Sequence, residues 1–340
     1  MMNKEFLKEM ISTPSPSGRE FFLGKKIKQK MEKEGCVVTS DSQGSIISTI
    51  NENEKFKVMM IAHMDEISLM IVGTNSDGSL RVLKNGGVNV NLYVNHRVKI
   101  VINENEFIYG VVRGQGHDLK DTDISIDIGT TDPELLDSLI GKYAIIDSDY
   151  MELRDDYFVG RALDDRIGVF TINEALLRLK KENVNKQVIS VNSVGEECTR
   201  RGANVTSNII KPNIAIVVDV TYTSDYPTKN TNCNTCLGKG GVVCFSQTIN
   251  PKLNDILIET CKKHNIPFQK EAFPASTYTD GDLIYTKGDG IPMVLMSIPL
   301  RYMHSPQEMC NFKDVQSGID ILVNFIKDLD VNAKLMPYED

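Results

Sequence analysis

The alternation of apolar and polar positions gives the chain three textures. Residues 3–11 and 19–34 have helical spacing, and the two prolines and the glycine of Pro14-Ser15-Pro16-Ser17-Gly18 break the pattern between them. Short β runs follow at 36–39 and 45–50. Segment 57–62, Lys-Val-Met-Met-Ile-Ala, is nearly all apolar, as expected of a strand buried on both faces.

From about residue 67 to 155 the pattern changes. Runs such as 97–101 and 107–112 are β-rich and separated by Gly, Asn and Asp turns, and only 133–139 reads as a short helix. This predicts a small all-β domain inserted into the chain. After residue 160 helices and strands alternate again. Val169, Ile172, Leu176 and Leu179 mark an amphipathic helix. Strands are expected at 187–191, 213–218, 241–246 and 292–298, with helices near 251–264 and 312–328. Alternating elements with buried strands predict an α/β sheet covered by helices on both faces. The division is 1–66 and 156–340 for the two parts of the α/β domain, and 67–155 for the insertion.

Composition removes some partners. Lys and Arg number 38 against 46 Asp and Glu, a net charge of −8, which argues against nucleic acid or an anionic membrane. The opening MMNKEFLKEMIS has no apolar signal-peptide core, and no apolar run approaches about 18 residues. Seven scattered cysteines make a disulfide framework unlike this chain, and the lone CxxC of Cys233 and Cys236 reads as reduced loop thiols. The expected location is the cytoplasm.

Candidate chemistry lies at the strand ends. Strand 57–62 runs into His63-Met64-Asp65, where residues two apart point the same way. Strand 187–191 leads to Gly195-Glu196-Glu197, strand 213–218 ends in Asp219, and strand 292–298 leads to Arg301-Tyr302-Met303-His304. Asp164-Asp165 opens the helix after the insertion. Ligands of open α/β sheets bind beyond the carboxyl ends of the strands. The expected set is therefore His63, Asp164, Glu197, Asp219 and His304, with Asp65 and Glu196 in reserve. Imidazole and carboxylate donors suit zinc, cobalt or manganese. Each residue also has a plainer reading: a helix cap for Asp164 or Asp165, a solvated acidic loop for Glu196-Glu197, a strand terminus for Asp219. His96, His117 and His264 read as ordinary histidines.

The strings AHMDEISLMI (62–71), ALDDRIG (162–168), GEECTRRGA (195–203), VVDV (217–220), LGKGG (237–241) and RYMHSPQE (301–308) resemble the glutamyl and deblocking aminopeptidases of the tetrahedral (TET-type) dinuclear metallo-aminopeptidase family. The matches run in family order over roughly residues 4–330. The resemblance implies a phosphorylase/hydrolase-like mixed α/β sheet sandwiched by helices, with an inserted all-β dimerisation domain, barrel or PDZ-like. It implies two divalent metal ions per subunit, zinc or cobalt, with manganese also accommodated. His63 and Asp219 would bind opposite ions bridged by Asp164, and Glu197 and His304 would complete the two shells. Glu196 would be the general base, acting on a metal-bridging hydroxide, and Asp65 the acid that orients His63.

The implied activity is removal of N-terminal residues from short peptides with a free amine. The implied assembly is a homo-oligomer built from dimers, as far as a dodecamer. Arg301 is a candidate for the substrate pocket, as are Arg200 and Arg201, and His117 is a candidate where relatives carry a turn ending in His. The chain departs from the family in Gly195 and in Cys198-Thr199-Arg200, which flank the base. The alternatives are a carboxypeptidase or N-acyl amino-acid deacylase on a similar scaffold, and a catalytically silent binding protein. A glycoside hydrolase is disfavoured because the chain has no Trp for an aromatic platform.

Overall fold

A computed structural model describes residues 2–182, 184–225, 234–336 and 338. Helices α1 (Lys4–Ser12) and α2 (Phe21–Lys33) lead into β1 (Val37–Ser40), β2 (Ile46–Ile50) and β3 (Lys57–His63). The chain then builds β4 (Ser68–Thr74), β5 (Leu80–Asn85), β6 (Arg97–Val101), β7 (Phe107–Arg113) and β8 (Ser125–Asp127), followed by α3 (Pro133–Ser138) and β9 (Tyr143–Ile146). These six strands close into an antiparallel barrel in the order β4-β5-β8-β7-β6-β9. Next come β10 (Met151–Glu152), β11 (Tyr157–Gly160), α4 (Leu163–Leu179), β12 (Gln187–Ser193), α5 (Arg201–Ile210) and β13 (Ile214–Tyr222). The remainder is β14 (Gly241–Phe245), α6 (Pro251–Lys263), β15 (Phe268–Ala272), α7 (Gly281–Ile284), β16 (Met293–Leu300), β17 (Glu308–Asn311) and α8 (Phe312–Asp328).

The main sheet has the order β1-β2-β12-β3-β13-β16-β14-β15. Its centre, β12-β3-β13-β16, is parallel throughout, while β1, β2 and β14 introduce antiparallel pairs. The expected mixed α/β sheet with an inserted all-β barrel is the fold observed. Strands β10, β11 and β17 form a separate small sheet. The barrel fills its interior by alternation, with Leu69 and Ile71, Leu80 and Val82, and Val98 and Ile100 inward. It has its own core, separate from that of the main sheet. Among the described residues no helix is long and apolar enough to cross a membrane.

Helix α4 differs from the expected single apolar stripe. Val169, Ile172, Leu176 and Leu179 are buried, and so are Phe170, Thr171, Asn173 and Ala175. The helix packs on the central strands and against α1 and α8, so nearly every face is covered. Its polar side chains are satisfied inside: Thr171 donates to the Ile167 carbonyl at 2.7 Å, and Asn173 donates to Asn192 at 2.7 Å. Helix α5 and strand β15 bury few large apolar side chains. The buried face of α5 is Gly202, Ala203, Thr206, Ser207 and Ile210, and in β15 only Glu271 is buried.

One buried ion cluster joins the pieces. Glu66 bonds to Arg161 and, at 2.8 Å, to Arg166, and it accepts the Ser15 backbone N–H at 2.8 Å. Arg166 also donates to the carbonyls of Met10 and Thr13, and Arg161 to that of Ser12. The cluster thus ties the end of α1 and the Pro-rich turn to the chain on both sides of the barrel. Burial pushes the Glu66 carboxyl up, but the two guanidinium groups outweigh it and hold the group below its ordinary 4.5.

Glu66→Gln removes the counter-charge of two buried arginines and is expected to cost about 3 kcal/mol, read by urea unfolding at neutral pH. Because the folded value is depressed, the Glu66 contribution is complete above pH 4.5 and is lost as pH falls through the folded value. The stability gap between wild type and variant should therefore narrow in acid.

Candidate active site

The register of the parallel strands brings the first side chains together. Strand β3 pairs with β13 as far as Ile61 opposite Val217, so two residues further on His63 and Asp219 emerge side by side. Strand β12 places Ser193 beside His63, and the chain then turns at Gly195, whose φ of +69° favours glycine. The Gly195 carbonyl accepts the backbone N–H groups of Thr199 and Arg200, closing a tight loop around Glu196 and Glu197.

Asp65 holds that loop in place. Its oxygens accept the backbone N–H groups of Glu196 at 3.0 Å and Glu197 at 3.2 Å. Its Oδ1 also lies 3.4 Å from His63 Nδ1, at the outer limit of hydrogen bonding. Burial raises the Asp65 carboxyl, but His63 and these N–H groups prevail and hold it below the carboxylate range.

The two aspartates in the first turn of α4 divide the alternatives between them. Asp164 and Asp165 have non-helical backbone, and the peptide joining them is cis. Asp165 Oδ1 accepts the Gly168 N–H at 3.0 Å, three residues on, as an N-cap does. That leaves the Asp164 carboxylate to face the cleft. It presents Oδ1 to His63 Nε2 at 3.1 Å and Oδ2 to His304 Nε2 at 3.2 Å, and His304 Nε2 lies 3.3 Å from Glu197. Glu308 supports both partners, accepting the backbone N–H of Asp164 at 3.1 Å and of His304 at 2.8 Å. Gly87 allows the barrel to close over this point, since a Cβ there would meet the His304 ring at 2.6 Å.

Two overlapping donor groups result. His63, Asp165 and Asp219 offer ligand atoms within 4.8 Å of one another, and so do His63, Asp164 and Glu197. His63 and Asp219 therefore share one donor group, because adjacent parallel strands deliver them at one level. The electrostatics fit a cation. Burial pushes Glu196 up to about 9, Asp219 to about 8 and Glu308 to about 8, while bonds to Asp164 and Glu197 overcome burial and lift His304 to about 12. Buried carboxyl groups this crowded ionise only beside positive charge. Asp165 Oδ2 has no hydrogen-bond partner among the described residues, so the donor set is not saturated within the protein.

The groups open into a cavity of about 380 Å³. Its walls include His63, Asp164, Glu196, Glu197, Asp219 and His304. Arg200 also lines it, donating from Nε to Glu196 at 2.9 Å and lying 3.5 Å from Asp282. The other side chains that the sequence suggests for the substrate pocket lie elsewhere. Arg301 is paired with Asp225 at 2.7 Å and lies over the Tyr157 ring, 5.8 Å from its centroid, and Arg201 is paired with Glu20 at 2.7 Å. His117 is exposed beyond β7 and does not line the cavity. Cys233 lies outside the described residues, and Cys236 is a free thiol. Sequence reasoning gives Asp165 no more than a capping role and does not single out Glu308 or Glu271. Glu308 closes the string RYMHSPQE, and Asp165 stands beside Asp164, but Glu271 sits in a polar strand with no motif around it.

Residues 44–321 match the family profile of the M42 glutamyl aminopeptidases. The chain belongs to this family. As an M42 member it is an aminopeptidase, a hydrolase of peptide bonds. It is 30% identical to the lysyl aminopeptidase of Pyrococcus furiosus over 97% of this chain and 98% of that protein. Its fold is similar to that of a TET aminopeptidase from a marine sediment Thaumarchaeota archaeon, at a TM-score of 0.90 and 26% identity over 96% of each chain. It is also similar to the TET1 peptidase of Pyrococcus horikoshii, which assembles into a tetrahedron or a large octahedral shell, at a TM-score of 0.82 and 25% identity over 96% of this chain and 99% of that one.

For this M42 aminopeptidase the double role of Asp65 has a measurable consequence. Asp65→Asn keeps one oxygen for the loop N–H groups but removes the carboxylate from His63. It is expected to lower kcat and metal affinity by about 10- to 100-fold while KM and Tm stay near those of the parent. Metal titration and steady-state kinetics on the purified variant check this.

Proposed function

We propose that this aminopeptidase releases N-terminal residues from short peptides using two divalent metal ions held by His63, Asp164, Glu197, Asp219 and His304. The observation that carries the reading is Asp164, which turns one carboxylate oxygen to each of two imidazoles inside a cleft lined by further carboxylates. Zinc or cobalt suits these donors, and manganese fits the same set. Asp165 shares the group formed by His63 and Asp219, and is a further donor to it. When bound, such ions polarise a scissile carbonyl and lower the pKa of a water.

The residues of the chain supply the remaining chemistry. Glu196 faces the cavity, takes a proton from the attacking water and delivers it to the leaving amine. Arg200 holds one oxygen of that carboxylate and so fixes its rotamer. Asp65 and Glu308 position the Glu196-Glu197 loop, Asp164 and His304 through backbone N–H groups. The free α-amine of the substrate is a cation and is drawn to the same crowd of carboxylates, which accounts for exopeptidase action.

We extend to this chain the shell assembly of its structural relatives, as a homo-oligomer built from dimers through the barrel and reaching a dodecamer. We place it in the cytoplasm, in keeping with the free thiols of the described cysteines, with neither nucleic acid nor membrane as partner.

The test strips the enzyme with a chelator, restores single metals, and follows release of the first residue from matched peptides with free and acetylated N-termini. Only the free-amine set should be cleaved, and only with metal restored. Cleavage of acetylated peptides instead points to a deacylase or endo-acting hydrolase, and inertness under every metal to a silent binder. Glu196→Gln should keep its metal and lose about 10²- to 10⁴-fold in kcat. Unchanged turnover in that variant removes Glu196 as the base.

A further inference from the structure

The cleft continues past the metal-ligand candidates to a second carboxylate with different surroundings. Asp219 and Thr221 are two apart on β13 and share a face, and Ser297 lies beside Asp219 across the β13–β16 register. Thr221 and Ser297 both donate hydroxyl hydrogen bonds to Glu271, the latter at 2.9 Å. Glu271 lines the cavity, yet only 5% of it is exposed. Its two hydroxyl donors are neutral, and among the described residues no cation contributes to its electrostatics. Lys270, next in the chain, lies instead near the Phe245 ring. The guanidinium that does line this cavity, Arg200, is already committed to Glu196 and Asp282.

A buried carboxylate without a counter-ion is costly, and a cation brought in by a ligand offsets that cost. The position suits a substrate side chain. Thr221 is two strand residues beyond Asp219, about 7 Å of rise, which is close to the reach of a four-carbon stem ending in an ammonium. Val220, Leu295 and Phe273 line the same cavity and offer apolar contact to such a stem.

Building on the aminopeptidase reading above, we infer that Glu271 sets the specificity of the cleft and that the preferred first residue of the peptide is lysine. The ammonium would donate to the Glu271 carboxylate and to the oxygens of Thr221 and Ser297. Arginine is the weaker fit, because both Glu271 oxygens already accept a hydroxyl and a planar guanidinium needs them as a free pair. An acidic first residue is repelled.

The test uses the metal-restored full chain and tripeptides that differ only in the first residue: lysine, arginine, glutamate and uncharged norleucine. The kcat/KM for lysine should exceed that for norleucine by about 10- to 100-fold, with arginine between them and glutamate last. Glu271→Gln keeps the hydroxyl partners, so it should bring the lysine-to-norleucine ratio close to one without abolishing norleucine release. Ser297→Ala loosens the same pocket without touching the charge, and should keep lysine ahead. Calorimetry with free lysine and free norleucine reads the pocket independently of turnover, and the binding preference should likewise vanish in Glu271→Gln. Hydrolysis without a lysine preference, or a preference that survives Glu271→Gln, overturns this inference and leaves the peptidase reading standing. Lysine binding that depends on Glu271 in a protein that cleaves none of the peptides does the reverse.

Discussion

Crowded negative charge at the carboxyl ends of the central strands is the constraint on which the rest of this molecule depends. Asp65, Asp164, Asp165, Glu196, Glu197 and Asp219 are drawn from separate parts of the chain; the four aspartates are buried and the two glutamates half-buried. The nearby buried acids are stabilised by several different means. Glu66 has two arginines, Asp165 has a helix N-terminus, Asp65 and Glu308 have backbone N–H groups, and Glu271 has only hydroxyls. That ranking separates the acids that build the scaffold from those left to act on something outside it. A group already matched by fixed donors holds geometry; one that is under-matched in the folded protein is where a cation is welcome.

Much of this is legible in the sequence because the signals are local. Apolar runs such as 57–62 mark buried parallel strands, and in such a sheet the residues just past each strand converge on one edge. By that logic His63, Asp164, Glu197, Asp219 and His304 belong together, and they do meet around one cleft. The illegible parts are those whose burial is not apolar. Helix α5 packs through glycine, alanine and hydroxyl groups, Thr206 and Ser207 donating back to carbonyls one turn earlier. Strand β15 buries a glutamate alone, so no hydrophobic period announces it. The sharing of His63 and Asp219 in one donor group is also beyond the sequence, since it follows from strand order, and order is a property of the assembled sheet.

The departures from the family pattern acquire a physical meaning in this setting. Gly195 supplies a left-handed turn that aims two consecutive N–H groups at Asp65, and Arg200 reaches back across the same loop to Glu196. The loop is thereby fixed from both ends, by a carboxylate beneath it and a guanidinium above it. Cys198, another of the changes, contacts Asn85 of the barrel through its thiol at 3.4 Å, so the altered segment also touches the barrel.

The bond between Glu66 and Arg161 has a consequence for how the chain reaches this arrangement. Seen from the sheet, the whole barrel is a loop, with the bonds of Glu66 to Arg161 and Arg166 at its neck. His63 and Asp164, on either side of it, are 101 residues apart in sequence. The entropy of closing a loop rises only with the logarithm of its length, about 0.6 kcal/mol per doubling. An insertion that folds on its own core also presents the sheet with two tethered ends in place of a long free coil. To the folding sheet the barrel is therefore a short detour, and the pocket can be assembled from remote residues at little more than the entropic cost of a tight turn.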